Sequence, residues 1–154
     1  MGNTEDKGLE TLQIWRRSLE FTKLICMDIL PKMPSPEKWA LTAQLRRSVQ
    51  SIPANIAEGY GRFYFQESVR FCYIARGSLE ETFSHLTLAH SLGYISDGVY
   101  KDLNSEIQEL RRMLNGYITF LKVSKRGAAE PGASLAVREE QIPYHTEDFS
   151  EPES

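Results

Sequence analysis

Between Tyr100 and Leu121, seven large apolar or aromatic residues recur at alternating spacings of three and four: Tyr100, Leu103, Ile107, Leu110, Leu114, Tyr117 and Leu121. That spacing draws one stripe along an α-helix and fits no face of a strand. Three earlier stretches carry similar stripes. The first is Leu12, Trp15, Leu19, Thr22, Cys26 and Ile29; the second is Leu41, Leu45, Val49, Ile52 and Ile56. The third, from about Gln66 to Leu92, carries Val69, Tyr73, Leu79, Phe83, Leu86 and His90. No segment alternates with period two over a strand's length. Four amphipathic helices joined by short connections predict an all-α fold, an up-down antiparallel four-helix bundle.

The punctuation between the stripes agrees. Pro31 and Pro34 end the first, because proline cannot donate the backbone bond a continuing helix needs. Ser35 reads as an N-cap with Pro36 at the first helical position. Gly59-Tyr60-Gly61 closes the second stripe. Gly93 is placed to end the third in a left-handed conformation, and Ser96 to cap the fourth. Pro53 breaks the local rules: inside the second stripe it removes a backbone hydrogen bond, at about 3 kcal/mol in a regular helix, and predicts a kink.

The net charge of −3 over 154 residues hides two unlike parts. Residues 1–126 hold 17 Lys and Arg against 14 Asp and Glu, whereas residues 127–154 hold one basic side chain against seven acidic ones. The latter segment also has three prolines and no helical period, which predicts a disordered acidic tail following a bundle over residues 1–126. The longest apolar run is the four residues Leu24–Met27, too short to span a bilayer, and the N-terminus has no signal-peptide pattern. A cytoplasmic protein without membrane contact is the expectation.

No catalytic constellation emerges. His85 and His90 are five apart, which does not place two ligands on one helical face. Glu81 and His85 are one turn apart, but two residues do not make a metal site. Cys26 and Cys72 fall on apolar stripes, where cysteine acts as a small hydrophobe. No catalytic residue, metal ligand or cofactor is expected, and the protein reads as a non-enzyme. Arg76, set among apolar neighbours, requires a partner if buried, and Glu58 and Glu80 are within reach of it; the three predict a structural polar network.

The segments Ser51–Gly59 (SIPANIAEG) and Arg70–Glu80 (RFCYIARGSLE) are similar to the signature of the bacterial four-helix-bundle proteins called 23S rRNA intervening-sequence proteins. Leu12–Trp15, Leu41–Ser48, Leu92–Ser96 and Met113–Gly116 resemble further motifs of that family in the same order, so the resemblance spans roughly Leu9 to Val123. It implies a bundle that assembles as a ring-like homopentamer, some members being encoded inside insertions in ribosomal RNA genes. A related bundle is the accessory protein of diversity-generating retroelements, which implies nucleic acid or a reverse transcriptase as partner. No enzymatic activity attaches to the family.

One departure is informative. Where relatives run through several basic residues after Gly-Tyr-Gly, this chain has Arg62 and then Phe63, Tyr64 and Phe65. Three aromatics in a row fit stacking on unpaired bases, an apolar patch for a partner, or a cap folded back on the bundle end. With them, Arg16, Arg17, Arg46, Arg47, Arg62, Arg70, Arg111 and Arg112 are the candidate contacts for RNA or a protein partner. RNA binding or ribosome association is one reading; a protein-interaction scaffold or retroelement accessory-type module without direct RNA binding is the alternative. A second apolar line on the first helix, Ile14, Phe21 and Ile25, lies beside the assigned core stripe and is the expected homo-oligomer interface.

Overall fold

A computed structural model describes residues 8–125 of the chain. Helix α1 is Gln13–Leu24 and runs on into a π-helical turn, Ile25–Ile29; α2 is Leu41–Tyr60, α3 is Phe65–Ser91 and α4 is Asp97–Ser124. Among the described residues there is no strand. The expected acidic tail lies outside them.

Pairs of contacting side chains fix the direction of three helices. Ser48 meets Thr82 and Ser51 meets Ser78, so α2 and α3 are antiparallel. Thr87 meets Tyr100, Glu80 meets Arg111 and Arg76 meets Asn115, so α3 and α4 are antiparallel too. Helix α1 packs against both α2 and α4. Between α2 and α3 the contact is made by small residues: Ser48, Ala75, Ser78 and Thr82 are buried, and the hydroxyl of Thr82 donates to Ser48 Oγ at 3.0 Å. Gly59 allows the closest approach, since a Cβ there would lie 2.9 Å from the Ser68 carbonyl oxygen and 3.0 Å from Phe71 Cβ.

The α3–α4 connection forms as its residues dictate. Gly93 has φ +80°, the left-handed region open to glycine, and Tyr94 N–H donates back to Ala89 O at 2.9 Å. Ser96 Oγ accepts from Val99 N–H, capping α4. The α1–α2 connection differs from expectation. Ser35 opens only a short 3₁₀ turn, Ser35–Glu37, and α2 begins at Leu41. Its first amide is served by Glu37, whose carboxylate accepts from Leu41 N–H at 3.2 Å and from the Tyr94 hydroxyl at 3.1 Å. One side chain thus caps α2 and ties together two loops at the same end of the bundle.

The core stripes of α2 and α4 are as the spacing predicts: Leu41, Leu45, Val49, Ile52 and Ile56, and Leu103, Ile107, Leu110 and Leu114, are all buried. Helix α1 corrects the expectation. Ile14, Phe21 and Ile25 are buried within the single chain, and Leu19, assigned to the core, is 44% exposed, with Leu12, Trp15 and Cys26 half-buried. The Ile14/Phe21/Ile25 line is therefore core and not free for an oligomer interface. Small Ser18 and Thr22, both buried, lie on that inner face and admit close approach to α2, whereas the Trp15 indole sits at the edge. The π turn then carries Ile25, Ile29 and Leu30 inward while leaving Met27 63% exposed.

Pro53 has a specific accommodation. Helix α2 is continuous through it, and the carbonyl that Pro53 leaves without its usual donor is that of Val49. The hydroxyl of Thr22 on α1 donates to Val49 O at 3.0 Å, while also lying 2.8 Å from Ser18 O in its own helix. Thr22 and Val49 are both buried, so a neighbouring helix supplies the bond that water cannot.

Cys72 is fully buried, and burial pushes its thiol up to about 12 from an ordinary 9.0. The neutral thiol is the form the fold prefers. This contribution to stability is complete below pH 9 and is lost as the pH rises towards 12. A thiol reagent at about pH 8 is expected to modify half-buried Cys26 and spare Cys72 until the chain unfolds. Equal labelling of both in the folded protein would contradict the packing.

Candidate nucleic-acid interface

Arginines expected to act together are largely separated by carboxylates. Arg17 is held by Glu106 through Nε at 2.6 Å and Nη2 at 3.0 Å, a bidentate pair that keeps its guanidinium above its ordinary range. Arg47 lies 2.5 Å from Gln44 Oε1 and 3.5 Å from Glu81. Arg111 chelates Glu80 at 2.5 and 3.0 Å, and Arg112 chelates Glu109, holding that carboxyl below the usual range. Of the three doublets, only Arg16 and Arg46 are exposed without a carboxylate partner among the described residues. The doublets are solvated helix faces knitted to neighbours.

The expected Glu58–Arg76–Glu80 cluster is replaced by separate pairs. Glu58 projects from the last turn of α2 and is taken by Arg62 one turn on, at 2.5 Å. Glu80 faces α4, where Arg111 offers the parallel fork of its guanidinium. Arg76 reaches Asn115 Oδ1 at 3.1 Å and lies 4.7 Å from the Tyr73 ring centre. It is half-buried, so its desolvation does not demand two carboxylates.

What the sequence did not reveal is how charge is distributed along the bundle axis. Antiparallel pairing puts the second half of α2, the first half of α3 and the second half of α4 at one end. With the Arg111–Glu80 and Arg112–Glu109 pairs kept whole, residues 51–80 and 109–125 hold seven Lys and Arg against four Asp and Glu, net +3. The opposite halves of the same helices, residues 41–50 and 81–108, hold three against four, net −1. Residues 8–40 add only +1.

The positive end also holds the aromatic turn. Phe63 is 46% exposed, its ring edge-on to half-buried Tyr64 at 5.2 Å. Phe65 begins α3 and packs against the core, so the run of three is divided: one ring out, one at the rim, one in. Arg62 lies 5.0 Å from the Phe71 ring centre. Arg70, exposed on the first turns of α3, has no carboxylate partner among the described residues. Lys122 on α4 lies 5.2 Å from the Tyr73 ring, so Arg76 and Lys122 share one aromatic. Buried Cys72 and half-buried Tyr117, the latter's phenol pushed up to about 12 by burial, are neutral groups behind this surface.

The histidines are engaged elsewhere. His85 Nε2 is 3.3 Å from Glu81, and His90 stacks on Tyr100 at 4.2 Å with Nε2 2.6 Å from Asp97. Among the described residues, no three His, Cys, Asp or Glu side chains gather as a metal site, and no helix is long and apolar enough to cross a membrane.

Residues 10–116 match the family of 23S rRNA-intervening sequence proteins. The chain belongs to that family. A solved structure from Bacteroides thetaiotaomicron, described as a protein of unknown function from the S23 ribosomal protein family, is similar in fold with a TM-score of 0.63. It shares 26% identity, over 68% of this chain and 97% of that one. No curated protein sequence matches the chain. The family's matched span ends within α4, so the residues beyond 116, including Lys122 and Lys125 at the positive end, lie outside it.

Proposed function

We propose that this member of the family is a non-enzymatic RNA-binding protein, and that single-stranded RNA docks on the end formed by the α2–α3 turn and the last turns of α4. The charge asymmetry carries the reading: +3 at that end against −1 at the other. A polyanion is drawn to one pole and repelled by the other. Exposed Phe63, next to Arg62 in the turn that leads into the α3 segment carrying Arg70, supplies a stacking surface that a bare phosphate site does not need. The names of the family and of its solved relative, both tied to ribosomal material, support RNA over DNA. The assignment replaces the arginine doublets with Arg70, Lys122 and the aromatic turn as the principal contacts.

Fluorescence anisotropy with a labelled uridine oligonucleotide tests this. About three phosphate contacts give a log–log salt slope near −2 for a single strand. Arg70→Glu is expected to weaken binding about tenfold at low salt and to flatten the slope, while Arg46→Glu changes affinity by less than about twofold. Salt-independent binding, no binding, or equal effects of the two substitutions would refute the site.

A specific observation favours self-assembly as well. Leu19 and Leu24 on α1, at 44% and 40% exposed, and Met27 at 63% in the π turn that follows, leave apolar surface uncovered by the single chain. A homo-oligomer that covers them, with five copies suggested only by family resemblance, sets several positive ends in one ring.

A further inference from the structure

The positive end is also where the chain continues past its described residues. Lys125 adopts φ +46°, the left-handed conformation that ends α4, and its N–H closes the helix on Leu121 O at 3.2 Å. Beyond Arg126 the sequence turns acidic, from Glu130 onward. From Gly127 to Ser154 there are seven carboxylate side chains and one arginine, net −6, joined through Arg126 to an end of net +3.

We propose that this acidic segment occupies the positive end in cis and competes there with RNA, as a built-in polyanion mimic. The inference rests on the RNA-binding reading of the same end, and it adds regulation to it. Reach, charge and placement each support it. Random-coil statistics for 28 residues give a root-mean-square span of about 30 Å, set against about 42 Å for the length of α4. The near, positive pole is therefore within easy reach. The far pole is at the limit of that span and carries the same sign as the tail. Tethering holds the segment at an effective concentration of about a millimolar, so even weak pairing is populated. The target is accessible: Arg70 is exposed without a carboxylate partner among the described residues, and Lys122 and Lys125 are exposed on the last turn from which the segment departs. Because the attraction is between solvated charges, it fades once salt shortens the screening length to a few ångströms.

The test uses the full chain, with all seven carboxylates after Gly127 replaced by their amides. At about 50 mM salt this variant is expected to bind the uridine oligonucleotide about tenfold more tightly than the wild type, the difference vanishing by about 0.5 M. In parallel, nitrogen–proton spectra without RNA are compared. Amides of Arg62–Arg70 and Lys122–Lys125 should shift between the two proteins, and those of Gly93–Ser96 at the other pole should not. Shifts with no RNA binding by either protein would support the intramolecular contact and refute the RNA reading. RNA binding of equal strength with no shifts would overturn the intramolecular contact and leave the RNA reading standing. Shifts centred on Gly93–Ser96 would also overturn it.

Discussion

Phe21→Ala is expected to destabilise the chain by about 3–5 kcal/mol in denaturant unfolding, the cost of deleting a large buried aromatic and leaving a cavity. Phe21 is 2% exposed and sits between Ile14 and Ile25 in the interior of one chain, with no need of a second copy to cover it. Leu19→Ala, on the outer line of the same helix, should cost under about 1 kcal/mol, since little of its contact is with the core. The pair separates the two apolar lines of α1 by function as well as by burial. Light scattering on Leu19→Glu and Met27→Glu then asks whether the outer line mediates assembly. Loss of oligomer with retained helix content is expected; an assembly insensitive to both would move the interface elsewhere. If Leu19→Ala proved as costly as Phe21→Ala, the packing of α1 described here would be wrong.

Thr22→Val should cost about 1–3 kcal/mol although it keeps the shape of the side chain. The loss is the hydroxyl that serves Val49 O, a buried carbonyl whose ordinary partner would be the N–H that Pro53 lacks. The prediction has an internal control. In a Pro53→Ala background the backbone supplies its own donor, and Thr22→Val should then cost about 1 kcal/mol less. Denaturant midpoints of the four proteins give the coupling directly. Equal costs in both backgrounds would mean that the Thr22 hydroxyl is incidental to the proline.

These two cases mark where sequence reading stops. Stripes of aliphatic residues on α2 and α4 identify most of their buried faces, although α4 also buries Ile118 off the stripe and leaves Phe120 and Val123 exposed. The glycine and serine that end α3 and start α4 are equally legible, since their roles depend on local backbone geometry. Helix α1 has two apolar lines at the same spacing, and periodicity cannot choose between them. The deciding residue is polar: Ser18 looks like surface, yet it is buried beside Thr22, whose hydroxyl reaches the carbonyl that Pro53 orphans on α2. A proline in one helix and a threonine in another, 31 residues apart in sequence, form one device that no local pattern displays.

The candidate site was legible in part. The aromatic turn and Arg70 stand out in the sequence, and both lie at the positive end. The doublets misled because adjacent arginines on a helix point about 100° apart, so each meets different neighbours. Arg17 and Arg111 face other helices and find carboxylates; Arg16 and Arg46 face water. Axial polarity is invisible in a linear count because α2, α3 and α4 alternate in direction. Only when antiparallel pairing brings residues 51–80 beside 109–125 does the +3 gather at one end.

Photo-crosslinking of a 4-thiouridine oligonucleotide to the wild-type chain, with the modified peptides located by mass spectrometry, tests the polarised-bundle account most directly. Crosslinks are expected within Gly61–Arg70 and Tyr117–Lys125, with Phe63 and Tyr64 the leading acceptors, and they should disappear at high salt. Crosslinks concentrated around Trp39, Tyr94 or Lys101, at the negative end, would contradict it.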